Sequence, residues 1–316
     1  MTYPRGHLPD HPEVAKRRLG MHLHPLFGAL MAASSVLPMA TTNRAKMSPS
    51  LGGPGILDQH DMGSCEGHAN GGGGTLNLAN EGKSKGLISP TSLYLGALLI
   101  DRGLNPDGTL TTVTDTGTMP SSIVTAWQTF GAMLAASDDQ YPAQSSTLYV
   151  TPSDPNSALI LPPPEKLYVD SPYRYNGSYF ITAQGTARLL QALAALASGK
   201  TISDAIPASQ SDFQGYTGGV LGALQGPTDH ANYIADYEWL GGAANWALLL
   251  TALQQGNTTQ AAALAVNLIF HCTNSWSETW GEADPVAQVN GGMYRANTAY
   301  FDQAEDLCVL DISSVA

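Results

Sequence analysis

Apolar residues in the first half of the chain recur at three- and four-residue intervals. Ile123, Trp127 and Phe130 share one face of a helix predicted over 120–130, with Pro120 where a helix can begin. Ser89-Pro90 supplies a cap and a first-turn proline to a second helix through Leu93, Leu95, Leu98 and Leu99. A third, strongly apolar helix is predicted over 186–198. Beyond it the pattern changes: 231–239 alternates as a strand does, and 268–273, 292–295 and 307–312 read as further strands. The stretch 241–266, largely Ala, Leu and Gln, reads as an inserted hairpin or helix. Residues 101–116 are turn-rich, and the proline-rich stretch 141–175 reads as a crossing between two lobes. Residues 1–50 form a polar, proline-bearing extension or strap with a short helix over 25–35.

Helices first and strands later point to an α+β protein. A chain of 316 residues can bury one large core or two lobes, and boundaries fall near 50 and 165. Domains of 1–50, 51–165 and 166–316 follow. Only 13% of residues are charged, about half the roughly 25% of ordinary soluble domains. The surface is therefore neutral and polar, or partly covered by protein assembly partners. A net charge of −12 with fourteen Lys and Arg excludes a nucleic-acid binder, which needs basic clusters. No apolar run reaches the ~18 residues of a membrane span. The apolar stretch 26–40 follows Lys16-Arg17-Arg18, but Pro25 and Pro38 interrupt it, so no signal peptide is read there.

Candidate chemistry begins at Leu57-Asp58-Gln59-His60-Asp61-Met62-Gly63-Ser64-Cys65. A tight turn feeding a helix at Cys65 puts the thiol at the positive end of the helix dipole, which favours thiolate. Gln59, just upstream, can aim an amide N–H at the oxygen of a carbonyl under attack. Downstream lie Asp229-His230-Ala231 and Asn274-Ser275-Trp276-Ser277-Glu278-Thr279-Trp280. Cysteine, histidine and asparagine in that order fit a nucleophile, a base and a group that orients the base.

These motifs resemble papain-like cysteine peptidases, and their order and loop pattern resemble the compact prokaryotic and phage-encoded branch. The resemblance implies a two-lobed fold, with a helical lobe, an antiparallel β-barrel lobe and a cleft between them. It implies Cys65 as nucleophile, His230 as general base and acid, and Asn274 as the residue orienting the imidazole. Gln59 and the Cys65 N–H would form the oxyanion hole, and Trp276 would shield the His–Asn hydrogen bond. Gly117 and Thr118, in Asp115-Thr116-Gly117-Thr118, would line the substrate cleft. The implied substrate is a peptide or protein, with no cofactor and no metal. The other histidines, including His22, His24 and His68, lack the paired-cysteine or helical two-histidine pattern of a metal site.

Three features depart from the family pattern. Glu66 follows the nucleophile, where a carboxylate opposes thiolate formation, and is expected to face solvent or a partner. Gly67 and Gly71-Gly72-Gly73-Gly74 strain a helix predicted over 65–85, at about 1 kcal/mol each relative to Ala. The long interval from His230 to Asn274 predicts an insertion beside the site. Two further functions remain open: a structural component, such as one of a virion, with weak or no activity, and a cell-wall amidase or endopeptidase. Cys272 and Cys308 are left as either a disulfide or two free thiols.

Overall fold

The computed structural model describes residues 37–59, 62–103, 112–135, 158–160 and 173–314. The helix predicted over 25–35 and most of the proline-rich crossing lie outside them.

Three helices form the first layer: α1 (Cys65–Asn80), α2 (Pro90–Arg102) and α3 (Pro120–Phe130). Ser89 caps α2, its hydroxyl accepting from the Ser92 N–H at 3.1 Å, and Pro90 occupies the first turn. The glycine-laden α1 runs unbroken for sixteen residues, buried from Cys65 to Ala79. Its glycines are where neighbours press closest. A Cβ on Gly67 would lie 2.3 Å from the Pro90 carbonyl oxygen, and one on Gly74 would lie 2.5 Å from the Trp127 ring. Close packing on every side offsets the poor helix propensity, which a polar surface helix could not do.

A seven-stranded antiparallel sheet follows: β3 (Tyr173–Phe180), β4 (Ile202–Ile206), β5 (His230–Trp239), β6 (Leu268–Thr273), β7 (Glu282–Asp284), β8 (Val289–Ala296) and β9 (Glu305–Ser314). Its order is β3-β9-β4-β5-β6-β8-β7. A separate pair, β1 (Thr112–Thr114) and β2 (Ala158–Ile160), lies apart from it. Side chains of a strand alternate between faces, and both faces of the central strands β4, β5 and β6 are buried. Cys308, Leu310 and Ile312 of β9 join Leu93 and Trp127 in the helical core. Leu307 and Val309 join the opposite core, with Leu193, Leu249 and Phe270. That second core is covered by α4 (Gly185–Ala197), the short α5 (Ser211–Gln214), α6 (Ala243–Gln254), α7 (Thr258–Ala265) and α8 (Thr298–Gln303).

Two expectations need correction. The sheet is open rather than a closed barrel, because its edge strands β3 and β7 do not pair with each other. Closure needs a continuous ladder between first and last strands, and β7 offers only three residues with a register slip. The insertion is also not beside the site. It is the α6–α7 helical hairpin, joining the end of β5 to the start of β6. In an antiparallel pair these ends lie opposite His230 and Asn274, so the strand length, roughly 30 Å at ~3.4 Å per residue, separates insertion from site.

Residues 37–51 cross β5. The Arg44 guanidinium pairs with Asp236 at 3.1 Å and Asp284 at 3.0 Å, and Thr41 donates its hydroxyl to Asp236. The Trp246 indole N–H donates to the Leu37 carbonyl at 2.8 Å, tying the same segment to the α6–α7 hairpin.

Two buried groups give stability opposing pH dependences. Burial pushes Asp204 up to about 7 from 3.8; Tyr300 donates to it at 2.9 Å, and the nearby Glu66 carboxylate adds to the rise. Between those values the folded state holds a proton that the unfolded chain has lost, so stability falls as pH rises from about 4 to about 7. Burial, then Arg44, pushes His271 down to about 4 from 6.5. Here the unfolded chain binds the extra proton, so stability rises with pH across that window. Each slope reaches at most about 1.4 kcal/mol per pH unit, and the two oppose each other where they overlap. Asp204→Asn is expected to leave the melting temperature rising more steeply from pH 4.5 to 6 than in the parent, and His271→Gln to tilt it the other way. Thermal melts across that range, parallel in all three proteins, would contradict this assignment.

Candidate active site

Cys65 opens α1, where backbone N–H groups project from the helix end and the dipole favours negative charge. Its side chain is buried with Ala69 and with Ala231, the residue after His230. The β5 strand thus brings its first turn of chain against the start of α1.

The orientation of His230 is set by two hydrogen bonds to one atom. Asn274 Oδ1 accepts from the backbone N–H of Ser275 at 2.7 Å, which fixes it as the oxygen, and lies 2.7 Å from His230 Nε2. Nε2 must therefore carry the proton and donate, leaving Nδ1 as the basic nitrogen of the neutral ring. Trp276 covers this pair, its ring centroid 4.7 Å from that of His230, and Phe213 packs edge-on against Trp276 at 5.3 Å. His230 is fully buried and Asn274 almost so. Exclusion of water strengthens the hydrogen bond that holds the tautomer.

Gln59 is welded to the same turn. Its backbone N–H donates to the Ser275 carbonyl at 2.9 Å, Asp58 bridges to Trp276, and its side-chain oxygen accepts from the Ser275 hydroxyl. Its amide nitrogen donates to the Met62 carbonyl at 2.8 Å. This bond and the Ser275 contact fix the orientation of the Gln59 amide.

Gly117 takes φ +82° and its N–H donates to the Tyr94 hydroxyl at 3.2 Å. Thr118 is fully buried with its hydroxyl donating to Asp101 at 2.8 Å, so only its backbone is available to a cleft. Glu66 corrects another expectation. It is 2% exposed, not solvent-facing, because α1 has no solvent face. Its Oε2 lies 3.3 Å from the Asn70 amide nitrogen.

All three cysteines are free thiols, which settles the open question about Cys272 and Cys308. Burial pushes the Cys272 thiol well above its ordinary range. Among the described residues no group of three or more His, Cys, Asp or Glu side chains could hold a metal ion, and no helix is long and apolar enough to cross a membrane.

Solved structures share this architecture. Xylellain, a cysteine protease from Xylella fastidiosa, matches with a TM-score of 0.60 at 17% identity, over 99% of this chain and 97% of that one. The chain has a papain-like fold. Digestive procathepsin L 3 of the Tenebrio molitor larval midgut matches with a TM-score of 0.51 at 16% identity, over 87% of this chain and 70% of that one. Bromelain from Ananas comosus, in complex with the E64 inhibitor, matches at 0.50 and 16%, over 88% and 100%. No family model matches the sequence, and no curated protein matches it either. At such identities the papain-like likeness is one of shape, and the chemistry rests on the residues above.

Proposed function

We propose that this protein is a cysteine peptidase that hydrolyses peptide bonds through a thioester. In this reading Cys65 is the nucleophile, and His230 takes its proton through Nδ1 and returns it to the leaving amine. Asn274 orients the imidazole, Trp276 keeps water from that bond, and Gln59 with the Cys65 N–H stabilises the oxyanion. Gly117 and the Thr118 backbone line the substrate cleft. Residues 51–165 form the lobe bearing the nucleophile and 166–316 the lobe bearing His230 and Asn274, with residues 1–50 as a strap.

The observation that carries the reading is the His230–Asn274 hydrogen bond at 2.7 Å, with its proton fixed on Nε2 beneath Trp276. What sets it apart from an ordinary buried histidine is that the bond leaves Nδ1 as the basic nitrogen while the next residue, Ala231, packs against Cys65. The test is hydrolysis of a mixed fluorogenic peptide pool, with iodoacetamide added in steps. Loss of all activity when one thiol per chain, Cys65, is alkylated is expected. Activity that survives complete labelling of Cys65 would reject the assignment.

One observation favours a second reading, a structural component, such as one of a virion, that retains the fold with weak or no activity. The Glu66 carboxylate is buried directly after Cys65, where it disfavours a neighbouring thiolate. In that case Cys65 would label no faster than the buried Cys272, and no peptide would be cut. The phage-encoded branch and a cell-wall peptide substrate stay within the first reading as finer alternatives, separated by assaying linear peptides against cell-wall fragments.

A further inference from the structure

Two loops of the site are held to each other by a pair of side chains on neither of them alone. Asp115 Oδ2 accepts the backbone N–H of Gly63, two residues before Cys65, at 2.8 Å. Its other oxygen accepts the hydroxyl of Tyr94, from the first half of α2. The Tyr94 oxygen in turn accepts the backbone N–H of Gly117 at 3.2 Å. Tyr94 also touches the nucleophile helix: a Cβ on Gly67 would lie 3.1 Å from the Tyr94 Cβ. Tyr94 is fully buried, and burial with the Asp115 charge keeps its hydroxyl protonated, so it serves as a donor to Asp115. Two turns further along α2, Asp101 accepts the hydroxyls of Thr118 and Ser122, pinning the far side of the same loop.

We propose that Tyr94 and Asp115 are positioning residues that lock the turn entering Cys65 to the Gly117 loop of the cleft. The inference rests on the peptidase reading for its kinetic consequence, not for its geometry. Asp115 restrains the peptide plane at Gly63, and with it the approach to Ser64 and Cys65. Gln59 also holds the chain at Met62, next to Gly63. Tyr94 restrains Gly117 in a left-handed conformation. The nucleophile and the wall that presents the scissile bond are therefore set at a fixed separation before any substrate arrives, the condition under which orientation accelerates a reaction most.

The two residues are expected to separate in kinetics. Tyr94→Phe keeps the ring packed on Gly67 but frees Gly117, and is expected to raise KM about fivefold with kcat little changed. Asp115→Ala removes both acceptor oxygens, and is expected to lower kcat about tenfold with KM little changed. Amide hydrogen exchange gives the direct readout. Exchange at Gly117 should quicken at least about tenfold in Tyr94→Phe, and at Gly63 in Asp115→Ala, with core strands unaffected. If Asp115→Ala does not fold, Tyr94→Phe carries the test alone. A parent protein that cleaves no peptide defeats the peptidase reading only, because exchange and the alkylation rate of Cys65 still report the positioning. Unchanged exchange at both amides, or a uniform rise across the whole chain with kcat and KM moving together, would overturn it.

Discussion

Cys65→Ser is expected to abolish peptide hydrolysis, lowering kcat by about 10⁴-fold or more, without lowering the melting temperature. Serine is close to cysteine in size, and Cys65 lies at the start of α1 with only Ala69 and Ala231 in its apolar cluster. Packing therefore changes little. The chemistry changes a great deal, because a serine hydroxyl is far less acidic than a thiol and a single imidazole must then do all the activation. His230→Ala is expected to fall nearly as far, and the double variant no further, since residues that act as a unit do not add. Stepwise measurement of kcat in the three variants checks this. Additive losses in the double variant would mean that Cys65 and His230 do not work on the same step.

The second large effect concerns the fold. Gly67→Ala is expected to destabilise the protein by about 2–3 kcal/mol, although alanine favours a helix over glycine by about 1 kcal/mol. The new methyl would meet the Pro90 carbonyl oxygen at 2.3 Å, and that oxygen belongs to the first turn of α2 and cannot swing aside as a side-chain tip can. The shift would also push Tyr94 away from α1. Chemical denaturation of both proteins measures the difference. A variant as stable as the parent would mean that α1 and α2 are less tightly apposed than a 2.3 Å approach implies.

The sequence made some of this plain and hid the rest for identifiable reasons. The helix over 120–130 was readable to the residue from its apolar period and its opening proline, and the strand over 268–273 from a short continuous run that opens Leu268-Ile269-Phe270. The strand Ile202–Ile206 was not, because Asp204 sits in its middle and a doubly buried strand shows no alternation of polarity. The burial of Glu66 is not legible in the sequence, because a charged residue on a helix ordinarily finds water. Only tertiary packing shows that α1 has none to offer, and that Asn70 and the protonated-leaning Asp204 are its neighbours. The insertion was counted correctly but misplaced, since sequence distance from His230 says nothing about which end of a hairpin receives it.

Of the site, Cys65, His230, Asn274, Gln59 and Trp276 stood out as motifs with their spacing. What no spacing could supply was the tautomer, which depends on the Ser275 N–H reaching Asn274 Oδ1. Asp115 and Tyr94 were equally hidden. Asp115 lies in plain view beside Gly117, but its partners Gly63 and Tyr94 are 52 and 21 residues away.

The chemistry of the site turns on whether His230 activates Cys65. The most direct measurement is the rate of Cys65 alkylation by iodoacetamide against pH, in the parent protein and in His230→Ala, with Cys272 and Cys308 followed in the same digest. The expected result is fast labelling of Cys65 already at pH 6, a drop of about 100-fold there in His230→Ala, and slow labelling of the other two throughout. A Cys65 rate that climbs only above pH 8, identical with and without His230, would contradict it.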